Sequence, residues 1–374
     1  MKRIYCDISA TTPIDMEVAN LMHDLQKTIF GNPSSIHREG QAAKVLIEKA
    51  RRQIATSLTC NPEEIIFTSS GTEANNMILK GVLKSGDHLI TSTYEHPAIT
   101  EVIPYLKENG IEVSLIAPNN GGLIEPGQVL RKIKKNTRLI SIMFVNNELG
   151  VINPIEDIAS IANNNSILIH SDAVQAFGKI PINLDQIPLD FISISSHKLY
   201  GPKGAGALFK RQGTKIAPMI YGGGQESNLR ASTENFIGIA GFGLASEIAF
   251  SNLKINSKKI SSLENLFTSE LDKQKINYKI NGIKRIPGVF NITFNKLDGQ
   301  QLVLNLDMCG IGISFGAACA SGTTKVPEFL IKLGLTKKEA LSSVRISFGK
   351  IHSEKDVITV AKEIGKIINK NEEK

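Results

Sequence analysis

The sequence predicts an α/β protein: one large domain on a seven-stranded, mostly parallel sheet, followed by a smaller α+β C-terminal domain. Three observations carry this. Between about Glu64 and Arg211, seven short β-branched runs alternate with stretches of helical periodicity, the pattern of βα units. After about Phe250 the alternation gives way to a charged helical stretch, a strand-like run, another helix and a Gly/Ala/Ser-rich segment. The 374 residues suffice for two domains, at roughly 100–200 residues each.

The strand candidates of the first part are 65–67, 88–90, 113–116, 139–145, 167–169, 191–194 and 207–209. Between them, Ile99, Val102, Ile103 and Leu106, and then Ile155, Ile158, Ala159 and Ala162, recur at helical spacing, with Gly110 as a stop for the first. In the second part a strand is expected over 289–294, a helix from Gln300, a loop over 310–322, a strand over 343–348 and an amphipathic helix over 353–368. The expected boundaries are an N-terminal segment, 1–15, packing with the small domain, a large domain, 16–250, and a small domain, 251–374.

Composition narrows the function classes. Hydrophobic residues at 41% and charged residues at 21% are ordinary globular usage, against a disordered, collagen-like or low-complexity chain. The net charge of +7 is scattered; Lys132, Lys134, Lys135 and Arg138 form the one tight interior cluster. No aromatic platform interleaves with it, so a solvated face is expected rather than a nucleic-acid surface. Cys6, Cys60, Cys309 and Cys319 are too far apart for a CxxC metal site and too few for a disulfide framework, which points to a reducing, cytoplasmic setting. Asp7 interrupts the N-terminus before a signal-peptide core develops. The stretch 236–250, interrupted by Ser246 and Glu247, falls short of the ~20 apolar residues that span a bilayer.

In an open α/β sheet, ligands bind outside the carboxyl ends of the strands. After 65–67 come Ser70, Gly71, Thr72 and Glu73: Ser70 and Glu73 have capping-box spacing, and Gly71-Thr72 would open a helix. Its free N–H groups suit a phosphate, and the same spacing serves an ordinary cap. Asp172 and Gln175 follow the run at 167–169, and Ser195, His197 and Lys198 follow that at 191–194. A lysine just past a buried strand is placed to lose its proton and become a Schiff-base amine, and a neighbouring Asp can pair with a pyridinium nitrogen. Singly, each reads more simply as a turn residue or a solvated lysine. Together they describe a pyridoxal phosphate site.

These segments resemble a fold-type I pyridoxal phosphate enzyme, specifically a cysteine desulfurase of the NifS/IscS type in the class-V aminotransferase family. The matching stretches run along nearly the whole chain, from 7–13 and 30–35 through 69–76, 95–96, 145–148, 172–175 and 195–204 to 343–345. The resemblance implies the cofactor pyridoxal 5′-phosphate and a role for each matching residue. Lys198 would carry the cofactor and move the Cα proton, Asp172 would keep the pyridine nitrogen protonated, and Gln175 would bond the ring hydroxyl. Asn147 would stand near that hydroxyl and the substrate carboxylate, and His96 would stack on the ring and shuttle protons. Gly71, Thr72, Ser195 and His197 would hold the phosphate, with Thr233 reaching it from the other subunit of a homodimer. Arg345 would clamp the cysteine carboxylate.

Cys319, in a Gly/Ala-rich loop with little side-chain packing, is implied as the nucleophile that takes the sulfur as a persulfide. No resident metal is expected; Cys319 is a candidate iron–sulfur ligand within a transfer complex alone. The implied reaction converts L-cysteine to L-alanine and passes sulfur to an acceptor, an iron–sulfur scaffold or a tRNA-thiolation enzyme. Phe315, Ala317 and Ala320 stand where the longer-loop branch usually has hydroxyl residues, and Gln225 stands where His is common. The charged end 366–374 lacks the tail with which housekeeping members dock their scaffold. Selenocysteine is a second candidate substrate. The alternatives are a pyridoxal phosphate aminotransferase or selenocysteine lyase of the same fold, or a silent scaffold protein.

Overall fold

The structure, a computed structural model, describes residues 3–295, 297–316 and 326–372. Strand β1 (Ile4–Tyr5) comes first. It is followed by β2 (Ile65–Thr68), β3 (His88–Ser92), β4 (Glu112–Ile116), β5 (Thr137–Ser141), β6 (Leu168–Asp172), β7 (Phe191–Ser195) and β8 (Gly206–Lys210). Strands β2 to β8 form one seven-stranded sheet in the order β2-β8-β7-β6-β5-β3-β4. The ladders from β4 through β3, β5 and β6 to β7 are parallel, and β8 runs antiparallel to both its neighbours. Every residue of β3 and β7 is buried, as strands covered on both faces must be, and the polar residues within them are the small Thr91, Ser92, Ser193 and Ser195 and the hydrogen-bonded His88.

Four more strands, β9 (Tyr278–Asn281), β10 (Val289–Phe294), β11 (Ile311–Gly312) and β12 (Ser343–Ser347), build the remainder. One antiparallel sheet has the order β12-β10-β9, while β1 pairs in parallel with β11. An apolar cluster around this sheet includes Phe267, Phe290, Val344 and Val360, and takes in Ile4 and Cys6 from the N-terminal segment. Phe315 packs against the same cluster. The larger core lies under the seven-stranded sheet and includes Ile47, Ile54, Ile192 and Phe242.

Three departures from the sequence pattern have local causes. The run 139–145 leaves the ladder at Ser141: Val145 bridges back to Ile152, which carries residues 146–148 past the strand end. The helix expected through Ile99 and Leu106 is two short helices, Pro97–Thr100 and Ile103–Glu108, each with a proline in its first turn. Proline has no N–H to continue a preceding helix, so Pro104 starts a new one. Strands β1, β9 and β11 are too short to show a period.

The helix Phe236–Ser251 is apolar on all sides because it is buried, and it packs along Arg38–Leu58. A Cβ at Gly243 would lie 2.6 Å from the Ala50 Cα, so glycine sets this approach. Ser246 Oγ donates to Ser57 Oγ at 2.9 Å in the same seam. Among the described residues no single helix is long and apolar enough to cross a membrane.

Candidate active site

The helix Gly71–Val82 starts just past β2, with Ser70 Oγ accepting from the Glu73 N–H at 3.2 Å. The reciprocal half of the capping box is displaced by one residue: Glu73 takes the N–H and hydroxyl of Ser69, at 2.7 and 2.5 Å. Arg230 also grips Glu73, Nε to Oε1 at 2.8 Å, which ties the chain near 230 to this helix start. A Cβ at Gly71 would lie 2.6 Å from Val174 Cγ2, so the open N-terminus sits directly against the turn after β6.

Asp172, at the end of β6, is buried. Its Oδ2 accepts from Asn75 Nδ2 at 2.7 Å and its Oδ1 from the Val174 N–H at 3.0 Å. Lys198 follows β7 on a short 3-10 turn, Ser196–Lys198, and its Nζ donates to the carbonyls of Ser9 and Ala10, each at 2.7 Å. His197 Nδ1 lies 3.1 Å from Thr11 Oγ1, and burial, then the charges of Lys198, Lys203 and Lys179, pull its imidazole down to about 4. His96 caps its short helix, Nδ1 accepting from the Ala98 N–H at 3.1 Å; burial also lowers its pKa. A neutral ring with Nδ1 as acceptor keeps its proton on Nε2.

These side chains line one cavity of about 190 Å³, with Gly71, Thr72, Asn147, Asp172, Gln175 and Ser195 among its walls beside His96, His197 and Lys198. Asn75 lines it as well, and its buried Oδ1 has no hydrogen-bond partner among the described residues. The sequence pattern did not single out Asn75, although it stands three residues from Thr72 and so on the same helix face.

Arg345, on β12, is 2% exposed and held by two carboxylates, Asp7 at 2.8 Å and Glu148 at 2.6 Å. It also donates to the Asn147 carbonyl at 3.1 Å, and Asn147 Nδ2 donates to Glu148 at 2.8 Å, so Asn147 joins the guanidinium to the cavity. Burial raises the Glu148 pKa while Arg345 pulls it back.

Thr233 does not line the cavity; it is exposed at the end of a strained loop. Glu226, Ser227 and Asn228 take φ of 45°, 56° and 66°, and Ser232 stands at 125°. The turn is held by a bidentate pair from Arg51 to Glu226, at 2.9 and 2.7 Å, and Glu226 also accepts from the Phe67 N–H at 2.7 Å. The φ of Ser232 is one that only glycine adopts freely. Ser232→Gly is therefore expected to stabilise the fold by about 1 kcal/mol, read as a shift in the urea midpoint; no gain would mean that the loop stores no strain there. Cys319 lies outside the described residues, as do Ala317 and Ala320. Cys309 is half-buried at the end of the helix Gly299–Met308, and burial raises the thiols of Cys6 and Cys60.

A mostly parallel sheet with a lysine, an aspartate and an open helix start meeting at its strand ends defines a class of pyridoxal phosphate enzyme. Residues 4–360 match the aminotransferase class-V family, and the chain belongs to it. More narrowly, it is 40% identical over 377 residues to the cysteine desulfurase IscS of Dictyoglomus turgidum, covering 99% of this chain and 96% of that protein. A solved structure described as a NifS-like protein superposes with a TM-score of 0.92 at 35% identity, over 98% of this chain and 99% of that one. Another, SspA in complex with cysteine, gives 0.82 at 34% identity, over 92% and 99%. The cofactor of this family, pyridoxal 5′-phosphate, fits the residues present: the helix N-terminus beside Ser195 and His197 suits a phosphate, the Asp172 carboxylate a pyridinium, and the Lys198 amine an aldehyde.

Proposed function

We propose that this protein is a cysteine desulfurase that converts L-cysteine to L-alanine and carries the sulfur as a persulfide on Cys319. The acceptor is a protein of iron–sulfur cluster assembly or of tRNA thiolation. The observation that carries the reading is the meeting of Lys198, Asp172 and His96 in one cavity with Arg345 joined to it through Asn147. Pyridoxal 5′-phosphate, when bound, supplies the electron sink that stabilises negative charge at the substrate Cα.

The chain's own residues do the rest. Arg345 receives the substrate carboxylate, and Asn147 orients it. Lys198 holds the cofactor, then takes the Cα proton and returns it. Asp172, itself steadied by Asn75, keeps a proton on the pyridine nitrogen. Gln175 meets the ring hydroxyl, and His96, with its proton on Nε2, serves the face of the ring. Gly71, Thr72, Ser195 and His197 bind the phosphate. The Cys319 thiolate bonds to the substrate sulfur as the carbon–sulfur bond breaks; the electron pair left on carbon takes a proton, and the product departs as alanine.

The working unit is a homodimer in which Thr233 reaches the partner's phosphate. Supporting this, Phe30, Ile36 and Tyr221 are 80%, 94% and 81% exposed. They flank two loops, near 33–34 and 224–227, that share a cavity. Among the described residues Cys6, Cys60 and Cys309 form no disulfide, which supports a reducing, cytoplasmic location.

The test incubates purified protein with L-cysteine, with and without reductant, and reads alanine release alongside intact and peptide masses. The expected result is a gain of one sulfur atom on the Cys319 peptide, matched by alanine, removed by reductant and absent in Cys319→Ser. Alanine release that persists in Cys319→Ser would mean a lyase or aminotransferase, with the cysteine incidental.

A further inference from the structure

Lys179 stands between the catalytic cavity and a second one of about 60 Å³. Its ammonium donates to Gln175 Oε1 at 2.6 Å. No carboxylate is among the described residues lining the second cavity. The titratable and charged groups that face Lys179 are His197, Lys198 and Tyr200 after β7, Arg345 on β12, and Lys350, itself paired with Asp15. Burial, then the charges of Lys198 and Arg345, pull its ammonium down to about 7. A half-buried ammonium whose acceptor is a neutral amide is still costly to keep, and such groups concentrate where chemistry is done.

The bond fixes Gln175. An ammonium only donates and a backbone carbonyl only accepts. With Lys179 on Oε1 and the Ser9 carbonyl on Nε2 at 2.8 Å, the amide cannot turn over. With the amide so oriented, its second Nε2 hydrogen is the one side-chain donor Gln175 has left, on the residue that lines the cavity beside Asp172 and Lys198.

We infer that Lys179 is a positioning residue that locks Gln175 as a donor toward the ring oxygen of the cofactor and places a positive charge behind it, holding that oxygen as the anion. The inference rests on the pyridoxal phosphate reading of the cavity. An anion bound there also draws Lys179 back toward its charged form. Donation to the ring oxygen and a cation nearby both weaken that oxygen's hold on the proton it shares with the Lys198 nitrogen. Removing Lys179 therefore raises the pH at which this proton is lost.

The experiment titrates the visible absorption of the cofactor-loaded protein from neutral to alkaline pH. Lys179→Met is expected to raise the midpoint by about one pH unit, a tenfold change in proton affinity, and Lys179→Arg to stay near the parent. A midpoint unchanged in Lys179→Met, with only weaker cofactor retention, would mean a structural role and overturn the inference. So would a shift in Lys179→Arg as large as that in Lys179→Met. Should Lys179→Met not fold, Lys179→Gln, which keeps a donor without the charge, is read in the same way. A parent protein that forms no visible band, or a Lys198→Ala variant that keeps it, overturns the cofactor reading itself and the inference with it.

Discussion

The Lys198→Ala variant is expected to fold as the parent does, to lack the visible absorption of a lysine-bound pyridoxal group, and to release no alanine from L-cysteine. Two functions go together in one side chain: the amine that attaches the cofactor and the base that moves the Cα proton. The proton transfer alone accounts for a rate loss on the order of 10²–10⁴, and loss of the covalent anchor deepens it. Stability should change little. The two carbonyls that Lys198 bonds belong to Ser9 and Ala10, and Ala10 lines the cavity, where water can replace the ammonium. Absorbance, alanine release and a thermal melt on the same preparation check all three points. Turnover within about tenfold of the parent would show that another group is the base.

Arg345→Ala is expected to cost stability as well as activity. The guanidinium is 2% exposed and compensates Asp7 and Glu148, so its loss leaves two carboxylates facing each other with no cation between them. Breaking a buried pair in this way costs about 3–5 kcal/mol. The sign of the pH dependence follows from Glu148, whose pKa burial already raises and Arg345 restrains. Without Arg345 it rises further above its unfolded value, so the folded variant binds the proton more tightly than the unfolded chain. The deficit is therefore largest at neutral pH and above, and shrinks as acid protonates the carboxylates. Urea unfolding at neutral and mildly acidic pH reads it directly. A variant within about 0.5 kcal/mol of the parent at both pH values would show that the cluster holds no net charge to compensate.

How much of this was legible in the sequence differs by kind of contact. All seven strands of the large sheet show as largely apolar runs, the central ones because a strand buried on both faces admits few polar residues, while the edge strand β4 exposes Glu112 and Leu115. The polar residues just past those runs stand out for the same reason, so Asp172, Ser195, His197 and Lys198 were conspicuous. What stayed hidden was held by the backbone or by distance. The carbonyls of Ser9 and Ala10 carry no side-chain signature, yet they are what Lys198 touches. Glu148 meets Arg345 across 197 residues of chain, from a turn that no local period connects to β12. Lys179 carries no sequence signal of its contact, because nothing in the local pattern sets where its long side chain ends, on Gln175. The split helix around Pro104 was available in principle, since the proline alone forbids continuity.

The N-terminal stretch from β1 onward touches three places in succession. It pairs with β11, reaches Arg345 through Asp7, and lends the Ser9 and Ala10 carbonyls to Lys198. Once the Lys198 nitrogen is committed to a covalent partner, it can no longer donate to both carbonyls, and the segment loses a fastening at its far end. Thermodynamic coupling of this kind is reciprocal. The β1-β11 ribbon and the lysine's resting contacts thus sit on one short length of chain, seven residues from Ile4 to Ala10.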